Sequence, residues 1–216
     1  MRNLSVFFIA VYCTSSVTAF CQKTSFGITG GVSLANMRLK AESISVSGDS
    51  KTGFTAGVFT DVALAENFSF QPALNYVQKG SKNEINDMSY ESKLTLNYIE
   101  LPLNLLYKPE MQKLRFFVGA GPSIAYALSG KEKEKDNGVN TAYSYKFGNN
   151  PDEHDLKALD FGVNFLTGIE TPGGFLVALN YNLGLSNLAP GSSSDDGTIK
   201  SNYFGFKVGY KLKGKK

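Results

Sequence analysis

Apolar and polar residues alternate with a period of two along most of the chain after residue 24. Alternation of this kind reads as half-buried β-strand, because successive side chains of a strand point to opposite faces. Eight segments carry it: 25–37, 53–65, 68–79, 97–108, 115–128, 158–170, 175–188 and 202–212. In the last, Phe204, Phe206, Val208, Tyr210 and Leu212 oppose Gly205, Lys207, Gly209 and Lys211. In 97–108, Ile99, Leu101, Leu103, Leu105 and Tyr107 oppose Tyr98, Glu100, Pro102 and Asn104. Short connections at 65–67, 109–112 and 171–174 alternate with long ones at 38–52, 80–93, 131–157 and 189–200. The pattern predicts an all-β fold, an eight-stranded antiparallel up-and-down β-barrel.

Alternation alone does not say which face meets water. In a soluble barrel the polar face lies outside and is rich in Lys and Glu. Here that face is mainly Gly, Ser, Asn and Ala. Small side chains suit the cramped interior of an eight-stranded barrel, and the large apolar ones suit hydrocarbon. A transmembrane barrel with its small-residue face inward is therefore expected, preferred over a soluble β-sandwich or lipocalin-like barrel. Short turns on one side and long loops on the other fit an outer-membrane barrel, with both ends of the mature chain periplasmic and four loops external. Aromatics cluster where two interfacial girdles belong. Phe68, Tyr107, Phe116, Phe175 and Tyr210 fall near the turn ends, and Phe54, Tyr76, Tyr126, Phe161 and Phe204 near the loop ends.

Composition sharpens this picture. Charged residues make up 19% of the 216, and the net charge of +3 is too small to point to nucleic acid. Arg2 and the short apolar run at 4–12 resemble the start and core of a signal peptide. Cleavage after Cys21 would make 1–21 the leader and 22–216 the barrel domain. A lipid anchor on Cys21 is the rival reading, disfavoured by the bulky Phe20 before it.

Several motifs resemble the small porin-family, PorT-like outer-membrane β-barrel proteins of Bacteroidetes. They are Phe26-Gly27-Ile28-Thr29-Gly30-Gly31, Asn97-Tyr98-Ile99-Glu100-Leu101-Pro102-Leu103, Phe117-Val118-Gly119-Ala120-Gly121-Pro122-Ser123, Asp160-Phe161-Gly162-Val163 with Gly168-Ile169-Glu170, and Tyr203-Phe204-Gly205-Phe206-Lys207-Val208-Gly209-Tyr210. The resemblance covers nearly all of 22–212 and implies an integral outer-membrane barrel, in a group of which a few members serve secretion machinery. The tail Lys213-Gly214-Lys215-Lys216 departs from the usual ending on an aromatic strand.

Inward charges are Asp61, Lys79, Glu100, Arg115, Asp160, Glu170, Lys207 and Lys211. Isolated buried charges are costly, so pairing is expected. Glu100, Arg115, Asp160, Glu170 and Lys207 are the candidate lumen charge network, with Arg115 or Lys207 as partners of Glu100 and Glu170. A network that fills and rigidifies the lumen is preferred over an ion path, since eight strands leave little room. His154, the only histidine, sits in Asp152-Glu153-His154-Asp155 and reads as part of a solvated acidic loop rather than a metal site. Lys131 to Asp136 reads as a solvated charge run in the same loop. Ser192-Ser193-Ser194 lies in another loop, so no strand places a nucleophile beside the single histidine base. No catalytic residue, metal or cofactor is expected. The expected role is a membrane-anchored structural or interaction scaffold, a monomer, that contacts outer-membrane lipid and a protein or surface partner at its external loops. The alternative is a small-solute or ion porin, or an accessory to a secretion apparatus.

Overall fold

Strand pairing accounts for the regular structure of the described residues. The structure is a computed structural model that describes residues 24–41, 44–85, 90–109, 114–136, 138–191 and 197–212. The expected signal peptide, 1–21, lies outside the described residues, as do Ser192-Ser193-Ser194 and the Lys213-Gly214-Lys215-Lys216 tail.

The strands are β1 (Thr24–Ala41), β2 (Ile44–Ser47), β3 (Asp49–Ala63), β4 (Phe68–Ile85) and β5 (Tyr90–Tyr107), followed by β6 (Arg115–Asp136), β7 (Val139–Tyr145), β8 (Leu159–Glu170), β9 (Phe175–Gly184) and β10 (Thr198–Leu212). All pair antiparallel in the order β10-β9-β8-β6-β5-β4-β3-β1, and β1 closes the ring onto β10. Setting aside β2 and β7, eight of the ten strands form the closed ring. β2 continues the line of β3 along β1, past an irregularity at Gly48. β7 pairs only with the outer part of β6.

The eight-stranded antiparallel barrel is thus as the alternation predicts. The lengths differ. β4, β5 and β6 run well beyond the expected ends at 79, 97 and 128, so much of the expected loops 80–93 and 131–157 is strand. The Lys131–Asp136 run is the outer end of β6, paired on both sides by β5 and β7. There the alternating residues are polar on both faces, so no apolar period marks the strand.

Small inward residues let neighbouring aromatics enter the lumen. Gly27 lies opposite Phe59, and Gly168 opposite Phe117. A methyl group at either glycine would overlap the facing ring. At the turn end, Gly174 has φ 94° and its N–H donates to Thr171 O at 2.9 Å, closing the β8–β9 hairpin.

Candidate functional site

The lumen is where the sequence places its unusual groups, and it is packed in layers. Nearest the turn end is a polar layer. Asp61 on β3 pairs with Lys108 and, at 3.4 Å, with Lys211. Lys211 also pairs with Glu170, and Glu170 meets Arg115 at 3.8 Å. Arg115 and Glu170 are direct cross-strand partners, and Arg115 projects toward solvent. Above this layer Phe59, Leu106, Phe117, Leu176 and Ala178 form a buried apolar cluster.

Next comes an amide ladder. Asn164 Nδ2 donates to Asn104 Oδ1 at 3.0 Å, and Asn180 Nδ2 donates to Asn164 Oδ1 at 3.2 Å. Asn182 Nδ2 donates to Ser123 Oγ at 2.7 Å. A cavity of about 40 Å³ lies in this half of the barrel, lined in part by Asn75, Asn104, Asn164 and Lys207. That is room for water, not for a solute stream.

The central ion cluster follows. Lys79, 1% exposed, places Nζ 3.0 Å from Asp160 Oδ2 and 3.4 Å from Glu100 Oε2. The phenol of Tyr203 donates to Glu100 Oε1 at 2.6 Å, and Ser186 Oγ donates to Asp160 Oδ1 at 2.9 Å. Lys79 Nζ also lies 5.0 Å and 5.3 Å from the ring centroids of Tyr98 and Tyr203, within cation–π range. The cluster therefore has one cation shared between two carboxylates, each with a hydroxyl donor on its other oxygen.

Closest to the loop end, the inward face turns apolar. Ala35, Met37, Val77, Leu94, Leu96, Tyr98, Ala127 and Tyr203 pack with Leu156 and Leu188, which come from the segments after β7 and β9. Both leucines are buried. Lys157 N–H donates to Leu188 O at 2.8 Å, which holds the two segments together. Above the cap, β5, β6 and β7 carry hydroxyl–carboxylate contacts. Burial and the hydrogen bond to Glu132 raise the Tyr145 phenol well above its ordinary range.

The five residues of the expected network thus fall into different layers. Glu100 and Asp160 share the central cluster, but through Lys79 rather than Arg115 or Lys207. Glu170 and Arg115 meet at the turn end. Lys207 is buried beside the cavity and forms no ion pair with a described residue. The register sets Lys79 of β4 opposite Leu96 and Asn75 opposite Glu100 of β5, so the long Lys79 side chain reaches along the lumen to the Glu100 carboxylate. Sequence reasoning passed over Lys108. Its even number continues the inward parity of Asn104 and Leu106, which was the available signal. Nothing in the alternation marks Leu156, which lies outside every expected strand; Leu188 ends the expected segment 175–188 on its inward parity, but β9 stops at Gly184 and Leu188 enters the lumen from the segment after it.

The ten aromatics expected in the girdles all project from the outer surface, with Tyr76 half-covered by Phe54 at 5.2 Å between ring centroids. Phe68 and Tyr107 are neighbours in the turn-end set at 5.3 Å. His154 Nδ1 lies 3.2 Å from Asn150 O in an exposed turn. Among the described residues no group of three or more His, Cys, Asp or Glu side chains is placed to hold a metal. No described helix is long and apolar enough to cross a membrane, which leaves crossing by strands untouched.

A closed antiparallel ring with a ring-wide apolar exterior and polar layers inside is the construction of an outer-membrane β-barrel. Residues 20–189 match the family described as outer membrane protein beta-barrel domain, and the chain belongs to it. Solved structures similar to it include Ail, the attachment invasion locus protein of Yersinia pestis, at 13% identity and TM-score 0.42. Others are Neisserial surface protein A, at 13% and 0.43, and the N-terminal β-barrel domain of Pseudomonas aeruginosa OprF, at 12% and 0.37. Each alignment covers 88% of this chain and 99% of the other. No curated protein sequence matches the chain.

Proposed function

We propose that the protein is a non-catalytic scaffold, anchored in the outer membrane by a filled barrel, whose loop-end strands and loops engage a partner outside the cell. The observation that carries this reading is the filled lumen. Lys79, Glu100, Asn104, Asn180, Asn182, Leu96, Leu188, Tyr98 and Tyr203 are all essentially inaccessible. Side chains occupy the turn end, the centre and the loop end, where a porin would keep an aqueous path. The barrel's investment outside the hydrocarbon belt is in β2, β7 and the outer parts of β4, β5 and β6, a rigid platform rather than a pore mouth. The aromatic sets serve as the two girdles, with the turn end periplasmic. Within the family, the motifs from Phe26 to Tyr210 support a place among the PorT-like barrels of Bacteroidetes.

Surface labelling tests the presentation. Cleavage after Cys21 leaves a mature chain without cysteine, so a single introduced thiol reports its own location. Intact cells carrying Lys146→Cys or Tyr143→Cys are expected to react with a membrane-impermeant maleimide, and cells carrying Thr171→Cys are not. Labelling of Thr171→Cys alone would reverse the orientation and remove the scaffold reading.

A further inference from the structure

The outward face of β4, β5 and β6 changes character in steps toward the loop end. Strand register aligns Tyr76, Ile99 and Tyr126 in one row. The next row is Gln78, Asn97 and Ser129. Tyr76 Oη and Gln78 Nε2 donate to Asn97 Oδ1 at 2.8 and 3.1 Å, and Asn97 Nδ2 donates to Ser129 Oγ at 2.9 Å. Above it Thr95 faces Lys131. Above that, Lys82, Lys93 and Lys133 stand side by side across three strands. Lys135 follows, opposite Glu91.

Like charges directly opposite each other on neighbouring strands are destabilising. Lys82 leans toward Glu91 at 3.6 Å. Lys93, Lys131, Lys133 and Lys135 are exposed and form no salt bridge with a described residue. The carboxylates that alternate with them along β6 take the other face. Glu132 accepts from Ser92 Oγ at 2.5 Å and Tyr145 Oη at 2.8 Å, and Glu134 accepts from Tyr90 Oη at 3.1 Å. β6 thus sorts its charges: Glu132 and Glu134 inward with hydroxyl donors, and Lys131, Lys133 and Lys135 outward, where Glu91 of β5 faces Lys135. A stack of lysines so arranged calls for a polyanion.

Its height says which. Successive outward rows are roughly 6.5 Å apart along a strand, and a tilt near 40° puts the Lys131 and Lys133 rows about 10 and 15 Å beyond the aromatic row. A phospholipid headgroup layer is only about 5–8 Å thick. A headgroup with charges spread over several sugars spans both rows. We propose that Lys93, Lys131 and Lys133 bind the anionic saccharide headgroup of an outer-leaflet glycolipid, so that this side of the platform is seated in the glycolipid layer. The proposal rests on the orientation given above. Binding to purified protein does not depend on that orientation, so failure here and failure of the labelling test are distinguishable.

The test uses the mature protein in zwitterionic detergent, with lipopolysaccharide carrying a phosphorylated inner core as one probe and phosphatidylglycerol as the other. The wild type is expected to bind lipopolysaccharide in a salt-sensitive manner, and phosphatidylglycerol more weakly. Lys93→Gln/Lys131→Gln/Lys133→Gln is expected to lose at least about tenfold in affinity, given the attraction of each lysine to an anionic surface. The equal-charge control Lys40→Gln/Lys146→Gln/Lys157→Gln is expected to stay within about twofold, the scatter expected of charges outside the lysine rows. Heat-shifted gel mobility checks that each variant is folded, and single Lys133→Gln gives a milder second reading. Absence of wild-type binding, equal losses in variant and control, or an unaffected triple variant would overturn the proposal. Equal binding of phosphatidylglycerol would also overturn it, by showing that a single phosphate suffices.

Discussion

Lys79 lies between two carboxylates, 3.0 Å from Asp160 and 3.4 Å from Glu100, with 1% of its surface exposed. Removing one partner of a buried ionic group costs far more than replacing the whole group with neutral residues, because the remaining charge is left without compensation. Lys79→Met strands two carboxylates and is expected to destabilise the barrel by about 3–5 kcal/mol. Lys79→Met/Glu100→Gln/Asp160→Asn is expected to recover most of that loss. Urea unfolding of the refolded protein in lipid vesicles reads both; a Lys79→Met barrel as stable as wild type would show that the cluster is not electrostatically coupled. The parity of each strand suffices to place Lys79, Glu100 and Asp160 inside. It does not tell which of them meet, because that depends on the stagger between strands, and stagger is not written in any one strand's alternation. For the same reason Lys207 was a reasonable partner for Glu100 on parity, while in the fold Tyr203 of the same strand reaches that carboxylate instead.

At the scale of elements, the sequence is readable where one face is apolar and unreadable where both are polar. Segments such as 158–170 and 202–212 match β8 and β10 closely. The outer parts of β4 and β6 do not stand out, because polar residues fill both faces there, and at the outer end of β5 only Leu94 and Leu96 carry the apolar period. The segment between β7 and β8 is different again: a non-strand stretch fixed by one buried side chain, Leu156, and by backbone bonds such as Asp155 N–H to Lys146 O at 2.9 Å. Leu156→Asp buries a charge with no partner in an apolar cluster and is expected to release this segment while the ring persists. Limited proteolysis should then cut at Lys146 or Lys157 at least about tenfold faster than in wild type, for a local loss above 1.4 kcal/mol, with heat-shifted mobility retained. Unchanged cleavage would mean that the segment is held by something other than its leucine.

Across the whole molecule, the exterior runs from aromatic rows through an apolar belt to amides and lysines, and the interior alternates ionic and apolar layers. Both arrangements follow from one constraint. A strand that crosses hydrocarbon must satisfy its backbone in a closed ring, and an eight-stranded ring is narrow enough for side chains to fill. Alternation, small inward residues and turn lengths were enough to recover that ring from sequence. The content of the lumen was only partly recoverable, since large inward groups such as Tyr98, Tyr203, Leu94 and Leu96 sit where the small-residue rule expects small ones, and they close the loop end. The filled lumen is the central claim, and single-channel recording in planar bilayers tests it most directly. The refolded wild-type protein is predicted to insert without discrete conductance steps. Stable, discrete openings that disappear in Glu100→Gln or Lys207→Gln would contradict it and make the protein a porin.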